Sequence, residues 1–183
     1  MNHILSGILR TGCVKSPEGK LINVHSSITR EEGEFLQEII SEIKPENSLE
    51  VGLAYGVSAL FICDAIKKIP GYKHIVIDPN QFGGSWGDGW DGIGINNLKE
   101  AGYAEIIEFY NMPSHHVLPK LAAEGRKIDF AFIDGWHTFD HTLIDFFYID
   151  EMLRAGGVIA IDDTDMPGIK KVCRYILKNR SYS

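Results

Sequence analysis

Acidic side chains recur at the points where predicted strands end. Glu50 lies in a short apolar stretch, while Asp78, Asp134 and the pair Asp162 and Asp163 close three other apolar runs. Ligands of parallel sheets bind outside the carboxyl ends of the strands, so these carboxylates are predicted to meet at one edge. Adjacent strands lie about 4.8 Å apart, which lets neighbouring carboxylates share one cation. An all-oxygen set favours Mg²⁺, Ca²⁺ or Mn²⁺ over Zn²⁺.

A glycine turn joins the first of these strands to a helix. Residues 50–58 have the sequence Glu-Val-Gly-Leu-Ala-Tyr-Gly-Val-Ser. Gly52 and Gly56 permit a sharp turn and close approach of a ligand, and the helix N-terminus offers unpaired N–H groups. A plain strand-to-helix turn that needs glycine for geometry alone is the alternative. The Gly-x-Gly-x-x-Gly spacing of NAD sites is missing, so a nucleoside cofactor without a pyrophosphate fits better.

Asp78 follows Gly56 by 22 residues and ends the second predicted strand. Dinucleotide folds place the acid that binds the ribose hydroxyls at about this distance. The alternative is a turn or helix-capping aspartate ahead of Pro79. We favour the ribose contact.

Strands and helices alternate along the chain around these residues. Thr29 and Glu32 have the spacing of a capping box, and Pro45 ends the helix that they begin. The predicted strands are 49–51, 74–78, 106–110, 129–134 and 158–162, with helices at 58–68, 96–101, 114–124, 142–153 and 169–178. This order predicts an α/β Rossmann-like doubly wound, mostly parallel sheet with helices on both faces. We expect one such domain at 29–183, after an N-terminal segment 1–28 with a small hairpin.

Composition limits the classes of partner. The net charge of −7 argues against nucleic acid and anionic membranes. No apolar run approaches the length of a membrane span, and the three cysteines have no metal-ligand spacing. A reduced, cytoplasmic protein with a small-molecule substrate is the expectation.

The motif Glu50-x-Gly52-x-x-x-Gly56-x-Ser58, followed by Asp78, resembles class I S-adenosylmethionine-dependent methyltransferases. Within that class the chain is most similar to the catechol and caffeoyl-CoA O-methyltransferase group and its small bacterial relatives. The resemblance extends from about residue 29 to residue 164, with strong points at 50–58, 114–119, 132–137 and 156–163. It implies methyl transfer from S-adenosylmethionine to a hydroxylated small molecule.

The resemblance also implies roles for particular residues. The cofactor would be bound by a set drawn from four strand ends, namely Glu50 near the methionyl amine, Gly52 and Gly56 at the methionine, Ser58 at its carboxylate, Asp78 at the ribose, Ser114 and His115 beside the adenine, and Asp134. Asp134, Asp162 and Asp163 would hold Mg²⁺ or another divalent cation, although the family usually has Asn at the last position. His137 stands where the catechol enzymes have a basic lysine.

Ordinary chemistry agrees with these roles. A cation lowers the pKa of a bound hydroxyl, and His137 could then accept the proton as general base. A surface-loop role for His137 is the alternative, with His141 one helical turn away as its rival for the base. Asp162 and Asp163 could instead cap the last helix.

The segment 79–94 is rich in glycine and contains Trp86 and Trp90. Long loops without secondary structure are often lids, so we predict that one tryptophan closes over the cofactor or acceptor. An inert loop anchored by a tryptophan is the alternative.

The family pattern ends with two further strands after the fifth, whereas the sequence predicts only a helix there. An uncovered strand edge invites pairing, so we expect a homodimer or a shortened chain. A non-catalytic S-adenosylmethionine-binding remnant and, less favoured, an NAD-binding oxidoreductase remain as alternatives.

Overall fold

A computed structural model describes residues 1–83 and 89–182, and within these ranges five strands form one parallel sheet. The strands are β3 (Asn47–Val51), β4 (Lys73–Ile77), β5 (Ile107–Tyr110), β6 (Ile128–Ile133) and β7 (Leu153–Ile161). Their order across the sheet is β5-β4-β3-β6-β7. The chain therefore adds β4 and β5 on one side of β3, and then β6 and β7 on its other side.

Helices cover both faces of the sheet. They are α1 (His3–Thr11), α2 (Arg30–Ile43), α3 (Val57–Ile66), α4 (Ile93–Glu100), α5 (Ser114–Ala123), α6 (Phe139–Met152) and α7 (Pro167–Asn179). The first four pack on one apolar layer, and the last three pack on the other. The predicted Rossmann-like doubly wound fold is confirmed.

Strand sequences explain the two layers. Residues of a strand point alternately to opposite faces, so Leu49 and Val51 of β3 join the layer under α5, α6 and α7. Phe130 and Phe132 of β6 join the layer under the other helices. Because helices cover both faces, the strands are apolar on both sides.

The N-terminal segment contributes to the same core. The predicted hairpin is present, with β1 (Cys13–Lys15) paired antiparallel to β2 (Leu21–Asn23). Helix α1, which the sequence analysis did not predict, buries Leu5 and Ile8 in the layer that also contains α3. The division of the chain at residue 28 stays a prediction.

Helix α2 begins as its sequence predicts. Thr29 Oγ1 accepts a hydrogen bond from Glu32 N at 3.2 Å, and Glu32 Oε2 accepts one from Thr29 N at 2.7 Å. This reciprocal pair is a capping box, and it fixes the first turn of α2 near the carboxyl ends of the strands.

Strand β7 lies at an edge of the sheet. Among the described residues it pairs with β6 alone, and the β1–β2 hairpin does not cover it. None of the helices in the described ranges is long and apolar enough to cross a membrane.

Candidate active site

A cavity of about 320 Å³ lies beside the carboxyl ends of β3, β4 and β6. This is the point where the strand order reverses, the usual ligand position in doubly wound sheets. Its volume is at the lower end of small-molecule sites, which span about 300–1,000 Å³. Five residues predicted to bind the cofactor line it, namely Gly52, Ser58, Asp78, Ser114 and Asp134.

The glycine turn is pressed against the end of β6. Gly52 has φ +93°, and a Cβ built there would lie 1.9 Å from the carbonyl oxygen of Asp134. No other residue fits at this contact, because a side chain would overlap the backbone of the neighbouring strand end. Gly56, with φ +80°, instead precedes α3 and faces Gly94, so it packs helix against helix outside the cavity lining.

Glu50 lies behind the cavity wall rather than in it. Its side chain is fully buried, and its Oε2 accepts a hydrogen bond from Ser58 Oγ at 3.1 Å. Its Oε1 lies 3.6 Å from Nε2 of the buried His74, whose Nδ1 is 2.8 Å from Ser48 Oγ. In this structure Glu50 reaches the cavity through Ser58, so a direct contact with the methionyl amine stays a prediction.

Asp78 holds the glycine turn in place. Its Oδ2 accepts hydrogen bonds from Leu53 N at 3.1 Å, Ala54 N at 3.0 Å and Gln81 Nε2 at 3.0 Å. Its Oδ1 accepts one from Asn80 N at 2.8 Å. Four donors therefore engage this carboxylate, leaving chiefly Oδ1 for a ligand.

Three side chains at the cavity rim form a cluster suited to a metal ion. Asp134, His137 and Asp163 each offer one ligand atom, and these atoms lie within 4.8 Å of one another. His137 Nδ1 lies 3.0 Å from Asp163 Oδ2 and 3.9 Å from Asp134 Oδ1. His137 and Asp163 both have positive φ, +49° and +52°. Such strained backbone at non-glycine residues often marks functional sites.

The cluster is strongly acidic. Burial, together with the nearby charges of Asp162 and Asp163, raises the pKa of Asp134 from 3.8 to about 8. Burial also raises the pKa of Asp162, with Glu32 and Asp163 adding to the rise. The first turn of α2 therefore brings a further carboxylate towards this rim. Uncompensated acids this close favour a bound cation.

Asp162 lies outside the three-residue cluster. Its Oδ1 accepts a hydrogen bond from Asp163 N at 2.8 Å, so it supports the backbone of its neighbour. The alternative that Asp162 and Asp163 cap the last helix is wrong, because α7 begins at Pro167 after Met166. Metal ligation by Asp162 stays a prediction.

His115 and His141 also stand away from the cavity lining. His115, in the first turn of α5, packs against His116 and His141, and burial lowers its pKa. His141 stacks on Trp136 and lies 3.0 Å from Thr138 Oγ1. The adenine contact of His115 and the rival base role of His141 stay predictions.

Sequence reasoning missed several residues of the cavity wall. Trp136, Asn80 and the segment 26–28 all line it. Trp136 stands between Asp134 and His137 in the sequence. That position could have identified it as a site residue. Trp90 also lines the cavity and packs edge-on to Tyr55 at 5.0 Å between ring centroids. Trp86 lies outside the described residues, so the lid hypothesis stays a prediction.

Comparison with known proteins assigns the family. The sequence model of a family described as "Methyltransferase domain" matches residues 49–164, which is more than half of the chain. The chain belongs to this methyltransferase family. The resemblance found in the glycine turn and at the strand ends is thereby confirmed, and an NAD-binding oxidoreductase is disfavoured.

Relatives of this methyltransferase-family chain include plant and animal enzymes. Caffeoyl-CoA O-methyltransferase 2 of Petunia hybrida is 28% identical over 141 residues, covering 73% of this chain and 52% of the relative. Catechol O-methyltransferase B of Danio rerio is 26% identical over 156 residues, covering 83% and 55%. The chain spans about half the length of the curated relatives that it matches.

Solved structures share the fold. An O-methyltransferase from Bacillus cereus in complex with SAH has a TM-score of 0.76 at 18% identity, covering 98% of this chain and 80% of that one. The O-methyltransferase TomG from Streptomyces achromogenes, in complex with SAM, has a TM-score of 0.73 at 22% identity, covering 99% and 80%.

Proposed function

We propose that this protein is an S-adenosylmethionine-dependent O-methyltransferase that uses a divalent cation and acts on a small hydroxylated molecule. The observation that carries the proposal is the Asp134, His137 and Asp163 cluster at the rim of a cavity lined by the glycine turn. A cofactor pocket and a cation site next to each other are what metal-assisted methylation requires. The names of the relatives agree with transfer to oxygen.

The cofactor would lie along the glycine turn. Ser58, in the first turn of α3, donates its hydroxyl proton to Glu50 Oε2 at 3.1 Å in this structure. It would donate to the methionine carboxylate by turning that proton away from Glu50. The unpaired N–H groups at the start of α3 also favour an anionic group there. Ser114 would flank the adenine from the start of α5.

The donor set fits a hard cation. The two carboxylates of the cluster suit Mg²⁺ or Mn²⁺, which retain water and leave positions for a substrate hydroxyl. His137 would then stay off the ion as a base. Such an ion lowers the pKa of the hydroxyl that it binds. Asp134 and Asp163 would hold the ion, and Asp162 would complete the set if its side chain turned to the rim.

His137 would accept the proton of the acceptor hydroxyl. Asp163 Oδ2 lies 3.0 Å from its Nδ1, so with the ring proton on Nδ1 Asp163 would orient the imidazole and Nε2 would carry the lone pair. This arrangement orients the imidazole and stabilises the imidazolium that forms. The cavity walls would exclude water and hold the acceptor oxygen near the methyl group of a bound cofactor, and such alignment would supply much of the acceleration.

The first experiment is calorimetric titration with S-adenosylhomocysteine, with and without Mg²⁺. We expect micromolar binding by the wild-type protein and loss of binding in Asp78→Ala, which releases the glycine turn. An acceptor screen with and without chelator then tests turnover. Absence of binding by the wild-type protein would overturn the proposal, and binding without turnover on any hydroxylated acceptor would favour a non-catalytic remnant.

His137→Gln should lower kcat by about 10²–10⁴-fold, the usual contribution of a general base, with little effect on S-adenosylhomocysteine affinity. Steady-state kinetics at saturating cofactor measure the change. His141→Gln is the matched control and should keep wild-type turnover. A greater loss in His141→Gln than in His137→Gln would transfer the base role to His141.

The proposal includes a homodimer. Its support is the edge position of β7, whose outer backbone groups have no strand neighbour within the described ranges. Sedimentation of the protein as a single monomeric species would contradict this part of the proposal without affecting the active site.

A further inference from the structure

Asn80 follows Asp78 by two residues and lines the same cavity. Its Oδ1 is buried and has no hydrogen-bond partner among the described residues. Both backbone groups of Asn80 are hydrogen-bonded, since its N donates to Asp78 Oδ1 at 2.8 Å and its carbonyl oxygen accepts from Trp90 N at 2.8 Å. The amide is therefore held at the cavity wall by its backbone while its own oxygen lacks a donor.

Buried polar groups in proteins are almost always paired, and an orphan oxygen at a cavity wall calls for a donor from a ligand. The terminal torsion of asparagine is broad, so rotation about it can present the oxygen to the cavity that the residue lines. Oδ1 can then accept one hydrogen bond from a hydroxyl group.

The hydrogen bonds of Asp78 also indicate that a second acceptor is needed. Three donors already occupy its Oδ2, which leaves Oδ1, itself bonded once, as the atom for a ligand. Because Oδ2 already accepts three hydrogen bonds, Asp78 does not have two free oxygens with which to bind both hydroxyls of a ribose. One of the two vicinal hydroxyls needs another acceptor nearby.

We infer that Asn80 Oδ1 is the second ribose acceptor of this site, so that Asp78 and Asn80 each take one hydroxyl of the cofactor's vicinal diol. This inference rests on the proposed function. It gives Asp78 two tasks, fixing the glycine turn and binding one hydroxyl, and gives Asn80 the remaining hydroxyl. The site would then discriminate ribose from 2′-deoxy and 3′-deoxy sugars at two separate residues.

The test measures binding of S-adenosylhomocysteine and its 2′-deoxy and 3′-deoxy analogues by calorimetry. Wild-type protein should bind both analogues about tenfold more weakly than the parent compound, the usual effect of one lost hydrogen bond. Asn80→Leu should bind the parent about tenfold more weakly and lose discrimination at one hydroxyl only, keeping it at the other. Asn80→Asp, which retains an acceptor oxygen, should discriminate at both.

Asn96→Leu is the matched control, because Asn96 is exposed on α4 and bonds Glu100 at 2.9 Å. It should retain the wild-type preference at both hydroxyls. A purely structural role for Asn80 would weaken all three compounds equally, and that result would overturn the inference.

Asn80→Ala serves as a second variant if the leucine does not fold. A wild-type protein that binds the parent compound while Asn80→Leu or Asn80→Ala keeps both preferences overturns the inference alone. A wild-type protein that binds none of the three compounds overturns the proposed function, and the inference falls with it.

Discussion

Asp134→Asn is expected to reduce kcat by about 10³-fold while leaving the protein folded. A cation at this position contributes several kcal/mol to the reaction, and each 1.4 kcal/mol is about a factor of ten in rate. Asparagine keeps the shape of the side chain but removes the charge that holds the ion. Steady-state kinetics over a Mg²⁺ series measure the loss, and excess Mg²⁺ should not restore turnover.

The same variant should gain stability at neutral pH in chelator. Burial and the neighbouring carboxylates raise the pKa of Asp134 to about 8, so the folded protein holds this proton more tightly than the unfolded chain. Its contribution to the free energy of unfolding therefore falls as pH rises from about 4 to about 8. Wild-type Tm should drop across this window and recover with Mg²⁺, whereas the Tm of Asp134→Asn should change less.

Asp165→Asn is the control for Asp134→Asn. Asp165 is an exposed acid two residues after Asp163, outside the cluster. We expect its loss to leave both kcat and the pH dependence of Tm unchanged. Equal losses of turnover in the two variants would indicate a general effect of negative charge rather than ligation by Asp134.

Gly52→Ala is expected to abolish cofactor binding and to destabilise the domain by about 3 kcal/mol or more. The new Cβ would lie 1.9 Å from the carbonyl oxygen of Asp134, and φ is +93°. For a chain of this size the change corresponds to a fall in Tm of about 6–12 °C. Thermal unfolding and calorimetry with S-adenosylhomocysteine measure the two effects.

Gly71→Ala separates strain from overlap. Gly71 has φ +75°, but a Cβ there meets nothing within 4 Å. Its substitution should cost only the strain of a left-handed residue, about 1–2 kcal/mol, and leave cofactor binding intact. If the two variants lost similar stability and both bound the cofactor, the close contact between Gly52 and Asp134 would not matter.

Strong local signals explain why much of the fold was predictable. The capping box of α2 and the apolar runs of β3 to β7 depend on residues close together in sequence. They can therefore be recognised without knowledge of the fold. Helix α1 was missed because its apolar residues extend over only nine positions, too few for a distinct helical period. Boundaries moved most at β7, which begins five residues before its predicted start.

The candidate site was predictable at the level of strand ends but not of individual side chains. Which of Asp162 and Asp163 joins His137 depends on the backbone beyond β7, where Asp163 has positive φ. The bonds from Asp78 to the turn connect residues about 25 positions apart, and such pairings follow only from the packed structure. The orphan oxygen of Asn80 likewise has no signature in sequence.

The contact between Gly52 and the end of β6 has a thermodynamic consequence. The turn that would receive the methyl donor and the strand end that would hold the cation share one backbone contact, because Gly52 lies against the carbonyl of Asp134. A ligand that shifted or stiffened either element would change the free energy of the other. Linkage then requires donor and cation to alter each other's affinity by the same factor, so each would act as an effector of the other's site.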